Sequence, residues 1–246
     1  MTDNNSKIRN VAGIVNGVQT PEGDGMIVRR PFPKGSLTEF DPFLLLDEMG
    51  PLEISPDRKR GFPDHPHRGF ETVTYVLAGG MEHKDSVGHS GKIMPGDVQW
   101  MTAGAGIVHS EMPEAELANK GGRLHGFQLW VNLPKRDKMM PPRYQEISAA
   151  AVPQAQTADG SVRVKIIAGE SLGQGAVIET RTPIMYLHFT LQPGASMLQP
   201  VKASFNAFAY VIDGDGLFGG VQEHAGDGQM ILFDRDGDEI SINVSP

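Results

Sequence analysis

The chain is predicted to be all-β, built from two related antiparallel units. Short runs rich in β-branched and aromatic residues recur from end to end, each closed by Gly, Pro or Asp. Glycine and proline are abundant, at 30 and 18 of 246 residues, so turns return at short intervals. Two stretches also mirror each other: Tyr75-Val76 and Tyr210-Val211 each run into a turn glycine, Gly79 and Gly214. A hairpin, a Gly-Asp turn and a further strand follow in both, as two copies of one β unit would require.

Taken in order, "GMIVRRPF" places Met, Ile and Val ahead of a closing proline, and "FETVTYVLAGG" is a β-branched run stopped by paired glycines. "DVQWMTAG" and "LHGFQLWVNL" carry the tryptophans between turn residues, and "VRVKIIAG" alternates valine with charge. "IMYLHFTL", "FNAFAYVIDG" and "QMILFDRDG" complete the series. Helical periodicity is weak everywhere; the best stretch, "EISAAAVPQAQ", is interrupted by proline. "LPKRDKMMPPRYQEI" (133–147) is charged, proline-bearing and without alternation, and reads as a linker between halves.

Composition narrows the function classes. With 39% hydrophobic residues the chain can bury a core, and with no cysteine it has no disulfide framework or thiolate chemistry. A formal net charge of −8 opposes binding to nucleic-acid phosphates, and the basic run Arg58-Lys59-Arg60 reads as a solvated loop. The opening "MTDNNSKIRNV" has no apolar leader segment and no stretch has the length of a membrane span, so a cytoplasmic protein is expected.

Side chains at i and i+2 of a strand share a face. His65 and His67 therefore point the same way, as do His109 and Glu111. Two such pairs on neighbouring strands would surround one point with imidazole and carboxylate, a donor set that suits iron, copper, nickel, manganese or zinc. Glu71 has the parity of His65 and His67, and competes with Glu111 as fourth ligand or as an acceptor behind an imidazole. His83 and His89 flank a hairpin turn and are expected to face solvent. In the second half, the position matching His65-Pro66-His67 holds Pro200-Val201-Lys202, and His188 and His224 stand alone.

Three patterns read as turns instead of sites. Gly214, Gly216 and Gly219 match a dinucleotide fingerprint, but a strand and no helix is expected after them. Asp234, Asp236 and Asp238 lack the glycine and terminal glutamate of a calcium loop. Asn243-Val244-Ser245 would be a glycosylation sequon only in a secreted chain.

"FPDHPHRGFETV", "GHSGKIMPGDVQWMTAGAGIVHSEMP" and "QLWVNLP" closely resemble the pirin family, and the likeness extends through "YQEI" and "RTPIMYLHFTLQPGA". The resemblance implies a bicupin, two antiparallel jelly-roll barrels joined by a short linker. It divides the chain into a metal-binding barrel (1–134), a linker (135–143) and a metal-free barrel (144–246). The family continues beyond the position of Pro246, so the second barrel is expected to be shortened and to leave a strand edge open. The resemblance also implies one mononuclear metal per chain, iron(II) foremost with copper, nickel, cobalt, manganese or zinc as alternatives. Its ligands would be His65, His67, His109 and Glu111.

Several pirins are similar to quercetin 2,3-dioxygenases, which open a flavonol ring with O2 and release carbon monoxide. The expected activity is therefore metal-dependent dioxygenation of a flat aromatic substrate. Glu111 would act as base, within an apolar pocket of Phe and Met side chains. The alternative is a non-catalytic, iron-dependent regulatory protein with a protein partner, as other pirins in animals resemble. Neither reading involves a membrane or direct nucleic-acid contact.

Overall fold

The computed structural model describes residues 6–38, 40–56 and 60–246, so Arg58 and Lys59 of the basic run lie outside the described residues. Strands dominate, and Ala115–Lys120 is the only helix among the described residues. Contacts divide the chain into two compact units that do not follow chain order. One comprises Val18–Val152 with Ile178–Pro183. The other combines the described residues up to Gly17 with Pro153–Val177 and Ile184–Pro246.

The first unit is two antiparallel sheets. The larger has seven strands in the order Arg143–Ile147, Val98–Thr102, Phe70–Ala78, Gly122–Asn132, Phe43–Ile54, Met26–Phe32 and Val18–Glu22. The smaller has the order Phe62–His67, Ile107–Pro113, Met81–Asp85 and Ser90–Ile93. Alternation assigns the faces. Thr72, Thr74 and Val76 face the smaller sheet, while Glu71, Val73 and Tyr75 face away, and all six are buried. Burial on both faces explains why "FETVTYVLA" reads as an almost unbroken β-branched run. Met26, Ile54, Val76, Met81, Ile93, Leu117 and Leu124 form one apolar cluster, each worth roughly 1.5–3 kcal/mol against exposure.

The helix escapes sequence reading because six residues are too few to display a 3.6-residue period. Its caps were visible: the Glu114 carboxylate accepts from the backbone N–H of Glu116 and Leu117, and Gly121 closes it. Leu117 anchors it in the apolar cluster.

The second unit holds a three-stranded sheet of Val11–Asn16, Gln229–Phe233 and Ala207–Tyr210, and another of Gln154–Gln156, Val162–Ala168 and Tyr186–Leu191. A four-stranded sheet runs Ser196–Pro200, Glu239–Asn243, Asp215–Phe218 and Glu223–Gly226. Val201, Ala207, Val211, Phe218, Ala225, Ile231, Phe233 and Ile240 form its core.

Several expectations are revised here. The division at 134 and 144 moves, because Val11–Asn16 pairs with Gln229–Phe233 and Arg143–Ile147 pairs with Val98–Thr102. The half-helical reading of "EISAAAVPQAQ" gives way to two strand ends around a turn. Phe43–Ile54, absent from the expected strands because Asp47 and Glu48 interrupt its apolar pattern, lies inside the larger sheet. Arg30 neutralises Asp47 through two bonds, Nε to Oδ1 at 2.7 Å and Nη2 to Oδ2 at 2.6 Å. Glu239–Asn243, the last strand, is no open edge: it pairs with Ser196–Pro200 on one side and Asp215–Phe218 on the other. Asn243 closes that strand and is not in a turn.

The aspartate-rich turn clasps the chain's own beginning. Asp236 accepts from the Asn10 N–H at 3.1 Å and its amide at 2.8 Å, and Asp238 accepts from the Lys7 N–H at 2.7 Å. The glycine triplet runs through the strand Asp215–Phe218, with no helix after it among the described residues.

Candidate metal centre

Strands Phe62–His67 and Ile107–Pro113 lie side by side in the smaller sheet, with His65 directly opposite His109 and His67 opposite Ile107. The i, i+2 spacing and this register bring three imidazoles together. Ring centroids are 4.7 Å apart for His65 and His67, 4.6 Å for His65 and His109, and 4.9 Å for His67 and His109. One nitrogen from each ring lies within 4.8 Å of the others.

The hydrogen bonding of these rings fits a metal. The Pro63 carbonyl can only accept, so His65 donates to it from Nδ1 at 2.7 Å and keeps Nε2 as a lone-pair donor. His67 and His109 are buried, and neither ring nitrogen of either finds a hydrogen-bond partner among the described residues. A buried polar atom without a partner costs about 1–3 kcal/mol, and each neutral ring carries one lone-pair nitrogen, so the two rings hold two unsatisfied electron pairs that suit a metal ion. Burial, helped by neighbouring His109 and His65, pushes His67 down to about 3. Burial likewise lowers His109, outweighing the opposing pull of Glu111. Both rings are therefore neutral near pH 7, the form that ligates.

Glu111 stands beside the trio, its Oε2 4.0 Å from His109 Nε2. Thr74 Oγ1 donates to its Oε1 at 3.0 Å, and Gln128 Nε2 donates to its Oε2 at 2.8 Å. Trp130 Nε1 in turn donates to Gln128 Oε1 at 2.9 Å, which fixes the amide orientation. Thr74, Gln128 and Trp130 all come from the larger sheet, so the carboxylate bridges the two sheets. The structure separates Glu71 from this group. Gly69, with φ +80°, turns the chain between the two strands and breaks the parity that linked Glu71 to His67. Glu71 instead accepts from Thr102 Oγ1 at 2.6 Å on the far face of the larger sheet, where burial raises its pKa.

The histidines of the next hairpin divide. His89 faces solvent and bonds to Asp85 at 3.0 Å. His83, also expected in solvent, is 1% exposed. It pairs in register with Glu111 and so faces the same interior, where it bonds to Glu146 at 2.8 Å. The signal was in "MEHKD": His83 shares the parity of Met81, which is fully buried. Tyr144, read as linker, also belongs to this interior, and Glu146 stands at its edge with its side chain half exposed.

An aromatic wall adjoins His67. Phe70 and Trp130 stack with centroids 4.6 Å apart, and lie 5.3 and 5.2 Å from the His67 ring. Where a Phe and Met lining was expected, the wall against His67 is one phenylalanine and one tryptophan.

The depressed His67 has a testable consequence. An unfolded chain protonates this residue near 6.5, the folded metal-free protein only near 3. Above 6.5 neither state is protonated and the residue adds no pH dependence. As pH falls through the window from 6.5 to 3, the unfolded state binds the extra proton and stability drops. By pH 5 the loss reaches about 2 kcal/mol. The urea midpoint of metal-free protein should therefore fall between pH 7 and pH 5, and fall less in His67→Leu.

The His65, His67 and His109 group is the only cluster of this kind among the described residues. In the second unit His224 is exposed and bonded to Asp215 at 2.9 Å, while Pro200 and Lys202 flank buried Val201 where the histidines would stand. Elemental analysis of dialysed protein should give one metal per chain. A ratio near two, with the second ion surviving in a His65→Ala/His109→Ala variant, would overturn this.

Comparison with known proteins places these features in context. The family model described as Pirin matches residues 25–131, and that described as Pirin C-terminal cupin domain matches 186–245. Pirin-1 of Arabidopsis thaliana is 46% identical over 241 residues, covering 98% of this chain and 79% of the relative. A pirin-like protein of Solanum lycopersicum is 54% identical over 198 residues, covering 80% of this chain and 64% of its own, so the chain spans under two thirds of that relative's length. A crystal structure named quercetin 2,3-dioxygenase, from Acinetobacter baumannii, superposes with a TM-score of 0.90 at 34% identity, covering 96% of this chain and 83% of that one.

Proposed function

Since the chain belongs to the pirin family, whose two cupin domains it carries, we propose that it is a metal-dependent dioxygenase that opens a flavonol-type ring with O2 and releases carbon monoxide. The observation that carries this reading is the trio of imidazoles, two of them with unpartnered buried nitrogens, beside a sheet-bridging carboxylate. The likeness to a structure named for quercetin dioxygenation supports the reaction class. His65, His67, His109 and Glu111 would hold iron(II), or copper, nickel, cobalt, manganese or zinc in its place. A redox-active metal there would supply the electronic link between an electron-rich ring and O2.

The chain's own residues do the rest. The Glu111 side chain, held by Thr74 and Gln128, receives the proton of the substrate's 3-hydroxyl, because each carboxylate oxygen keeps a second acceptor site. Phe70 and Trp130 form an apolar wall against which a flat ring can lie. Mutual contact with His67 fixes that wall relative to the imidazoles.

Aerobic incubation of iron-loaded protein with quercetin tests the reading. Loss of flavonol absorbance with matching carbon monoxide release is expected. No turnover with iron or any of the alternative metals would overturn it and leave the regulatory reading, for which a stable protein partner would then be sought.

A further inference from the structure

Beyond the three imidazoles and Glu111, the interior of the first unit holds a second polar group that the proposed chemistry leaves unused. His83 and Tyr144 lie ring against ring, 5.1 Å between centroids at 34°. The backbone register shows that both face inward. His83 is the cross-strand partner of Glu111, whose carboxylate reaches Thr74 of the opposite sheet. Tyr144 is the partner of Met101, itself the partner of Thr72, on the face that carries Thr74. His83 Nδ1 and the Tyr144 hydroxyl are both buried; His83 Nδ1 finds no hydrogen-bond partner among the described residues, and the phenol faces the Asp85 carboxylate without a well-formed bond.

The donor and acceptor roles of this pair are fixed from behind. Glu146 can only accept, so His83 donates to it from Nε2 at 2.8 Å, and in the neutral ring Nδ1 is left as an acceptor. Gln99 Nε2 steadies the same carboxylate oxygen at 3.1 Å. Gly91 leaves room for this contact, since a Cβ there would sit 2.7 Å from His83 Nε2 and 3.0 Å from Glu146 Oε1. Burial, then the charge of Asp85 and its contact with the hydroxyl, then Glu111 and Glu146, raise the Tyr144 phenol, which therefore keeps its proton; a bound hydroxyl would draw that proton away from Asp85. One acceptor and one donor side by side match a single hydroxyl group, which donates to the first and accepts from the second.

We propose that His83 Nδ1 and the Tyr144 hydroxyl form a hydroxyl-recognition subsite beside Glu111, which selects, among flavonol-type substrates, those with a second hydroxyl remote from the one that meets Glu111. His83 and Tyr144 are binding residues; Glu146 and Gln99 are positioning residues. The identity of the ring rests on the dioxygenase reading above. The donor–acceptor pair stands on its own geometry. An analogue that lacks the second hydroxyl leaves the buried His83 Nδ1 unpaired and the phenol with Asp85 alone, which should weaken it about tenfold.

Anaerobic calorimetry on the metal-loaded protein tests this with two ligands. One is 3-hydroxyflavone, whose only hydroxyl is the one at the 3-position; the other is quercetin, with further hydroxyls on both outer rings. Wild type should bind quercetin about tenfold more tightly. Tyr144→Phe and Glu146→Leu should bring the two affinities within about threefold of each other, and Glu146→Gln, which can still accept from His83, should restore most of the preference. A purely structural role would weaken both ligands alike and leave their ratio unmoved, which overturns the subsite while the dioxygenase reading stands. If neither flavonol binds wild type, the flavonol reading falls and phenol decides the subsite. Titration with phenol should shift the His83 Nδ1 resonance in nitrogen-15 spectra of wild type and not of Tyr144→Phe. The absence of any shift in wild type overturns the subsite as well.

Discussion

His109→Ala should strip the protein of its metal while leaving its β structure in place. Loss of an outer hydrogen-bond partner behind a ligand already costs 10–100-fold in metal affinity, and removal of a ligand should exceed the upper end of that range. His109 sits at the centre of the group: it faces His65 across the strand pair, contacts the His67 ring at 4.9 Å and stands 4.0 Å from Glu111. The fold does not depend on it. His109 is not among the residues of the apolar cluster, and the two ring nitrogens it loses have no protein partner to abandon. Deletion of a buried imidazole whose polar atoms are unpaired removes a cost as well as packing, so in the metal-free state the variant should be no less stable than wild type by more than about 2 kcal/mol. Dialysis against a mild chelator followed by elemental analysis checks the affinity, and circular dichroism checks the fold. Full metal occupancy after dialysis would remove His109 from the ligand set.

The parts of this site that sequence revealed are those governed by a single strand. His65 with His67, and His109 with Glu111, needed only the period of two, and the strands Phe62–His67 and Ile107–Pro113 supply it. Parity failed where it was carried across a turn. Glu71 follows Gly69, whose positive φ resets the alternation, so counting residues from His67 placed it on the wrong face. The linker reading of 133–147 failed for another reason. Arg143–Ile147 is an edge strand with partly exposed residues, and its identity as a strand comes from pairing with Val98–Thr102, over forty residues earlier. Tyr144 and Glu146 went unnoticed with it. Likewise, nothing near Val11–Asn16 announces that its partner is Gln229–Phe233 at the other end of the chain. Local pattern located the candidate ligands, and long-range pairing decided what surrounds them.

Glu111→Gln should lower flavonol turnover by roughly 10²–10⁴-fold, the range that general base catalysis supplies. The substitution is close to silent sterically. Trp130 holds the Gln128 amide so that its N–H₂ points at position 111, and the new amide can meet it with its own oxygen. Its N–H₂ then faces Thr74 Oγ1, which rotates from donor to acceptor. What disappears is the negative charge, and with it both the proton acceptor and the anionic metal ligand. These two roles separate experimentally. If Glu111 serves chiefly as base, the variant keeps its metal and binds substrate, and the loss appears in kcat; raising the pH then recovers part of the rate, because more of the flavonol arrives already deprotonated. If it serves chiefly as ligand, metal content falls in parallel with rate, and pH recovers nothing. Metal analysis and a kcat profile from pH 6 to 9, measured on the same preparation, distinguish the two. Turnover within threefold of wild type would exclude both roles and return the proton-transfer step to an unassigned group.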